Sequence, residues 1–494
     1  MPVPSTPTAR PARGDSTPTG TRTRARTAPS NEDVARTAVS VFGDTTVLHH
    51  DSTAGPDAAP VWDIDVRSFE THERVAHYVQ LFTTNARGHF VERLSRGTRY
   101  EPMIRAKLRA SGMPEDLTYL ALIESGYDPH AYSRAAAVGM WQFMSSTARD
   151  VGLRVDWWMD ERRDPVRSTE GAIRFLGGLR KQFGGSLYLA AAAYNGGPGR
   201  IARGLTRIAD ELEGAGGDAQ FFKLADHDYL RTETKNYVPQ LIAAALVAKM
   251  PSRYGLAVDS TSPLTYDSVL VSAGTSMAVV ATASSSSPAV LKDLNPSILR
   301  GVTPPDTSVW VHVPTGQGAR TFTSLDRLGD ADRMGFSTLR VAGTTVTLAS
   351  VAHKAGITLK QLAWFNPALK TTKRGRLIAG QSLRVPHRDV FAFARDLPDP
   401  SIERYGTSDL ARGGFHVVRR GESIASIASR YKVSVTRLKS MNGIRGNRVV
   451  PGQTLRVSAV KASKASKASA GKKSASKKGA AKKAGAKKKA AAKH

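Results

Sequence analysis

From residue 66 to about 250 apolar positions recur every three to four residues. In FETHERVAHYVQLFTT, Phe69, Val75, Tyr78, Val79 and Phe82 fall near one face, which predicts a helix. PEDLTYLALIES predicts another, because Pro114 suits a first turn and Glu115 and Asp116 sit well at the positive end of a helix dipole. STEGAIRFLGGLRKQF sets Ala172, Leu176, Leu179 and Phe183 at helical spacing, with Ser168 and Thr169 as candidate caps. SLYLAAAAYN predicts a short apolar helix stopped by GGPG, and NYVPQLIAAALVAKM a longer one with Pro239 early enough to be tolerated. No alternating strand pattern of comparable length occurs there, so this body reads as all-α.

After residue 250 the pattern changes. Segments 268–314, 338–386 and 415–457 resemble one another. Each shows a short strand, a Gly turn, two short helical patterns, an Asn near the end of the second, and a closing strand. A period of roughly 40–50 residues marks a repeated small module, and polar linkers are expected between copies. The expected class is therefore α+β multidomain: a helical body followed by small strand-bearing modules.

Composition sharpens this picture. A chain of 494 residues has room for about three domains. Its net charge of +29 favours anionic partners, whether nucleic acid, a membrane surface or an acidic polymer. Segment 461–494 holds thirteen Lys and no acid, and without it the net charge is +16. That tail and segment 1–60 have too few apolar residues to build a core and are expected to be disordered. Zero Cys excludes disulfides, thiolate metal sites, Cys nucleophiles and a lipid anchor on an N-terminal Cys. No apolar run approaches the roughly 18 residues of a membrane span, and no secretory h-region follows the basic start. No His, Asp and Glu cluster has metal spacing and no Gly-rich phosphate loop follows a strand, so no cofactor is expected.

Four motifs stand in order along the helical body: LALIESGYDPHAYSRAAAVGMWQFM, WWMDERRDPVRST, AAAAYNGGPGRI and ETKNYVPQ. Together they resemble the catalytic domain of soluble-type lytic murein transglycosylases, and within them the membrane-bound lytic murein transglycosylase D group, over residues 69–250. The third repeat resembles the LysM module through VxxGESIxxIA at 418–428, LKSMN at 438–442 and PGQTLRV at 451–457. The second keeps GTTVTLASVA, Asn366 and GQSLRV; the first keeps mainly SAGTS and LNP. The resemblance implies a lysozyme-like catalytic domain and βααβ LysM modules that bind glycans containing N-acetylglucosamine. The substrate it implies is peptidoglycan, and the location the cell envelope or periplasm.

Glu124 ends the apolar run YLALIE, flanked by Leu120 and Ile123. Poor solvation there disfavours the charged carboxylate and keeps a proton available near neutral pH. Read alone, such a residue fits a structural ion pair; the motif order favours catalysis. Ordinary glycosidases add a second carboxylate, for which Asp128, Asp160, Glu161 and Asp164 are candidates. Asp128 precedes Pro129 and reads as a turn, while the other three alternate with Arg162, Arg163 and Arg167 and read as an ion-pair cluster.

The resemblance implies that no second acid is needed. The substrate's N-acetyl carbonyl would assist, and Glu124, now a base, would take the proton of the C6 hydroxyl to leave a 1,6-anhydro end. It further implies substrate contacts for Ser133, Met140, Gln142, Tyr194, Asn195 and Tyr237. Bland readings stand beside these: a loop cap for Ser133, backbone satisfaction for Gln142 and Asn195, core packing for Trp141 and Tyr194. Trp157 and Trp158 read as scaffold. Alternatives are a goose-lysozyme-like hydrolase and a non-catalytic wall-binding protein. Nucleic-acid binding through the Lys-rich tail is disfavoured, because the tail carries neither stacking aromatics nor a base-reading motif. Anionic lipids or envelope polymers are its simpler partners.

Overall fold

A computed structural model describes residues 60–343, 346–372, 376–401, 415–418, 422–431, 433–444, 446–447, 449 and 454–457. Segments 1–59 and 461–494, where disorder is expected, lie outside the described residues. Apart from 134–136, residues 60–401 belong to one compact unit, and the third small module belongs to a second.

The helical body runs α1 (Glu73–Thr83), α2 (Arg87–Ala110), α3 (Thr118–Ser125), α4 (Ser145–Asp150), α5 (Pro165–Gln182), α6 (Leu187–Gly196), α7 (Pro198–Arg207), α8 (Ala219–Asp226) and α9 (Thr232–Lys249). Its strand-like features are single bridges, such as Tyr132 with Val138 and Val138 with Phe143. Helix α3 is the central element. Thr118, Tyr119, Leu120, Ala121 and Leu122 are all buried, so it is apolar on every side, as a helix enclosed by others must be. Trimming Leu120, which is 0% exposed, to Ala would cost about 2–5 kcal/mol. Gly126, at φ +66°, stops the helix in the left-handed conformation and returns its N–H to the carbonyls of Ala121 and Leu122.

The start of α5 differs from the expected one. Asp164 is its cap, accepting from the N–H groups of Val166 and Arg167, with Pro165 in the first turn. Ser168 and Thr169 lie inside the helix, where their hydroxyls donate back to the carbonyls of Asp164 and Pro165. Pro239 sits in the interior of α9 and not at its beginning.

Each small module is a βααβ unit. In the first, β1 (Asp267–Val271) pairs antiparallel with β2 (Val309–Val313) around α10 (Met277–Ala283) and α11 (Pro288–Leu294). In the second, β3 (Phe336–Arg340) pairs with β4 (Ser382–Pro386) around α14 (Leu348–Lys354) and α15 (Leu359–Phe365). Between these units, 314–335 is not a plain linker: α12 (Gly318–Asp326) packs on β1 and α10, and α13 (Asp330–Arg333) follows. The strand β4 leads into α16 (Val390–Phe393). In the third module β5 (Phe415–Val417) pairs with β6 (Thr454–Arg456) around α17 (Ile424–Arg430) and α18 (Val435–Asn442).

One side chain explains the Asn near each second helix. Asn295 Nδ2 donates to the carbonyls of Leu291 and His312, and its Oδ1 accepts from His312 N–H at 2.8 Å. Asn366 repeats the pattern with Leu362 and Arg384. An amide can clamp helix end to strand because it both donates and accepts. The first unit therefore keeps the clamp of the second, although little else of the motif remains in its sequence.

Candidate active site

Helix α3 delivers Glu124 at its last turn, partly open to the surface while protein encloses its carboxyl on the other sides. Glu124 Oε1 accepts a hydrogen bond from Tyr237 Oη of α9 at 2.6 Å. Burial pushes the carboxyl up from 4.5 to about 7; the Tyr237 hydroxyl, favouring the charged form, pulls against this, and the negative charge of Glu233 adds to the rise. Tyr194 and Tyr237 are held far above the ordinary phenol range, first by burial and then by the charge of Glu124, so both stay neutral donors.

The wall beside Glu124 is the loop 138–143. Met140 and Trp141 are buried, and their carbonyls face the site's framework: Met140 O accepts from Ser125 Oγ at 2.9 Å, and Trp141 O from Tyr194 Oη at 2.6 Å. Trp141 Nε1 donates to Thr169 Oγ1, so this ring is core. Gly139 is obligatory, since at φ +81° a Cβ would lie 1.8 Å from Arg162 O. Gln142 takes φ +49°, a strained value for a non-glycine residue, and both its N–H and its Nε2 donate to Gly139 O. Ser133 Oγ accepts from Ala137 N–H at 3.0 Å and closes its own loop.

Asn195, at the end of α6, donates Nδ2 to Glu233 Oε1 at 3.2 Å and accepts from Thr234 Oγ1 at 2.8 Å. The structure therefore joins Tyr237 to Glu124 directly, sets Tyr194 where the charge of Glu124 acts on it, and ties Asn195 to Glu233, whose charge reaches Glu124. Ser133 and Gln142 are tied within the 131–142 loop. Sequence reasoning assigned no role to Ser125, Glu233 or Thr234, yet the signal was present, since each lies inside a quoted motif. The four carboxylates weighed earlier have other work. Asp128 Oδ1 accepts from His130 N–H in a turn. Asp160 grips Arg162 at 2.8 and 2.9 Å. Glu161 accepts from Arg154 N–H and Arg167, and Asp164 caps α5. Among the described residues no group of three or more His, Cys, Asp or Glu side chains is arranged to hold a metal ion, and no helix is long and apolar enough to cross a membrane.

Parts of the chain are similar to known proteins. Residues 101–211 match the Transglycosylase SLT domain, and residues 347–386 and 416–458 match the LysM domain. The chain is 28% identical over 365 residues to membrane-bound lytic murein transglycosylase D of Escherichia coli K12, covering 73% of this chain and 63% of that protein. It thus spans less than two thirds of that relative's length. It is 32% identical over 154 residues to peptidoglycan transglycosylase gp16 of Escherichia phage T7, covering 31% of this chain and 10% of that one. Among solved structures, the 70 kDa soluble lytic transglycosylase of Escherichia coli aligns with 31% of this chain and 24% of its own at 21% identity, with a TM-score of 0.26, too slight a likeness to bear on the fold.

Proposed function

We propose that this chain, which carries a transglycosylase SLT domain and LysM domains, is a peptidoglycan lytic transglycosylase of the cell envelope. The observation that carries the reading is Glu124: an enclosed carboxyl with its affinity for protons raised to about 7, at the end of an apolar helix, held by Tyr237. At neutral pH it is poised to give a proton and to take one back, as a single residue serving first as acid and then as base must be.

In the proposed reaction Glu124 protonates the glycosidic oxygen between N-acetylmuramic acid and N-acetylglucosamine as the C1–O bond breaks. The substrate's acetamido carbonyl stabilises C1. The Glu124 carboxylate then takes the C6 hydroxyl proton, and O6 closes on C1 to give a 1,6-anhydro end with no water consumed. Tyr194, Asn195, Gln142 and Ser133 contact sugar substituents in this reading, whereas Met140, expected to contact substrate, is fully buried and backs the wall from within. Tyr237 keeps the carboxyl oriented. The LysM units hold glycan, and the Lys-rich tail, outside the described residues, adds attraction to anionic envelope polymers or lipids.

Glu233 favours a second reading, because it is a further carboxylate whose charge reaches Glu124. A hydrolase would use such a group to activate water. Mass analysis of the products from purified protein and isolated sacculi separates the two. The proposal expects muramic ends lighter by one water; hydrated ends would sink it.

A further inference from the structure

Arg300 lies in the loop that follows α11 and is 0% exposed. Its guanidinium lies in the corner formed by two indoles that meet edge to face, 3.7 Å from the ring centre of Trp157 in the helical body and 4.5 Å from that of Trp364 in α15 of the second unit. Nε donates to Trp157 O at 2.8 Å, and Nη1 to the carbonyls of Arg395 and Leu397 at 3.2 and 2.9 Å. No ion pair holds it among the described residues, and burial pushes its pKa down to about 10. A buried cation held by three carbonyls beside two indoles is a specific arrangement, since Arg alone combines a planar face with a fork of donors, and Nη2 is left buried without a hydrogen-bond partner among the described residues.

The backbone is stitched at the same place. Asp160 N–H donates to Ser297 O, Leu299 N–H to Trp158 O, and Arg395 N–H to Leu299 O. Gly301, at φ +73°, lets the chain approach α16 so closely that a Cβ would lie 2.1 Å from Val390 O. Past α16 the chain runs back over the helical body. Pro400 O accepts from Ser145 Oγ at 2.7 Å and from Arg162 Nη2 at 3.4 Å, and Ser401 O accepts from Arg149 Nη2.

Arg162 links this joint to the site. It is 2% exposed, grips Asp160, and donates Nη1 to Phe143 O at 3.1 Å, while its own carbonyl abuts Gly139. The loop thus pinned supplies the Met140 and Trp141 carbonyls that hold Ser125 and Tyr194 beside Glu124.

We propose that Arg300 is a positioning residue for Glu124, acting through segment 157–163, strap 394–401 and loop 138–143, so that the working catalytic unit extends to about residue 401. The first βααβ unit is on this account part of the enzyme's frame and not a tethered binder. The inference rests on the transglycosylase reading. The test uses the full chain with Arg300→Ala, Arg300→Lys and Trp364→Leu. Displacement of a site by about 1 Å can cost about 100-fold in rate. Arg300→Ala should therefore lower kcat on short soluble glycan strands by about 10–100-fold, with KM little changed.

The same variant should move the fall of kcat/KM near pH 7 to lower pH, because a loosened wall admits water to Glu124. Amides at 139–143 should exchange faster while the far-ultraviolet circular dichroism stays unchanged. Arg300→Lys should fall between, keeping the charge but losing the fork. Wild-type kcat, pH limb and amide protection in Arg300→Ala would overturn the proposal. If that variant fails to fold, Trp364→Leu, which removes one of the two indoles beside Arg300 from outside the helical body, must slow turnover in the same way; wild-type values there overturn it equally. If the wild-type chain itself releases no cleaved glycan, the functional reading fails, and amide exchange at 139–143 alone decides the joint.

Discussion

Glu124→Gln should abolish turnover and at the same time stabilise the protein, by an amount that depends on pH. The folded carboxyl titrates at about 7 against 4.5 for the free group. Below pH 4.5 both states are protonated and the buried neutral acid costs nothing by linkage. Between 4.5 and about 7 the unfolded chain ionises while the folded one holds its proton, so stability falls as pH rises; above about 7 the loss is complete. A difference of about 2.5 units at 1.36 kcal/mol each is about 3 kcal/mol. Gln keeps the shape and can accept from Tyr237 Oη, but never ionises. Denaturation of the two proteins should then coincide near pH 4.5 and diverge by about 3 kcal/mol near pH 8, with the variant more stable. Urea titrations at the two pH values, followed by near-ultraviolet circular dichroism, measure this. A gain independent of pH, or none at pH 8, would show that Glu124 is not held protonated by burial. Retention of more than about a tenth of the turnover would remove it from the chemistry, where loss of general acid catalysis alone is worth about 10²–10⁴-fold.

Tyr237→Phe removes a charge-assisted hydrogen bond worth about 1.5–3 kcal/mol, so the Glu124 pKa should rise by about 1–2 units. The acid form then persists further, and the fall of kcat/KM should move from near pH 7 to higher pH; a move downward contradicts the assignment. Glu233→Gln removes only a neighbouring negative charge, since a Gln oxygen can still accept from Asn195, and the same limb should move to lower pH. Loss of more than about 100-fold in turnover there would instead make Glu233 a reacting group, as the hydrolase reading requires. Gly139→Ala should destabilise by about 1–3 kcal/mol or more and slow turnover, because the methyl group meets Arg162 O at 1.8 Å; near-native stability in thermal denaturation would be inconsistent with that approach. Deleting 461–494 should flatten the fall of anionic-polymer binding with salt, because the thirteen Lys no longer displace counterions; equal slopes with and without the segment would argue against the tail.

What the sequence made legible was local. The helices of the body follow from an apolar period that each segment carries within itself, whereas the run YLALIE alone fitted a structural ion pair and Glu124 stood out only through the order of the four motifs. The start of α5 was misjudged because hydroxyls in a helix can satisfy themselves on carbonyls four residues back, so Ser168 and Thr169 mimic caps; the better signal was the Asp164–Pro165 pair. The segment after β2 looked like a linker because it is polar overall, yet Thr321, Phe322, Leu325 and Leu328 are spaced to bury one side. Glu233 was passed over because its motif was read for Tyr237. Trp157 and Trp158 were rightly read as scaffold, though nothing local shows what they support. Arg300 donates to a carbonyl 143 residues away, and no periodicity records such a contact.

The repeats show why that contact could arise. The clamp built from Asn295 or Asn366 is internal: it ties the second helix to the closing strand and uses no residue of the loops at the open edge. Those loops are therefore free to differ without unfolding the unit. In the second unit 367–372 remain largely exposed, as a surface available to glycan must be. In the first, Gly274–Met277 and the whole stretch from Asn295 to Pro304 are buried, against the helical body, α13 and the segment around α16. A glycan could reach that edge of the first unit only by displacing Arg300 from the corner of Trp157 and Trp364 and leaving a buried cation without its carbonyls. The desolvation penalty of an uncompensated charge exceeds what a weak sugar contact returns. The first copy thus retains the module's fold while its open edge is committed to the frame around Glu124, and wall binding in the proposed function falls to the other two.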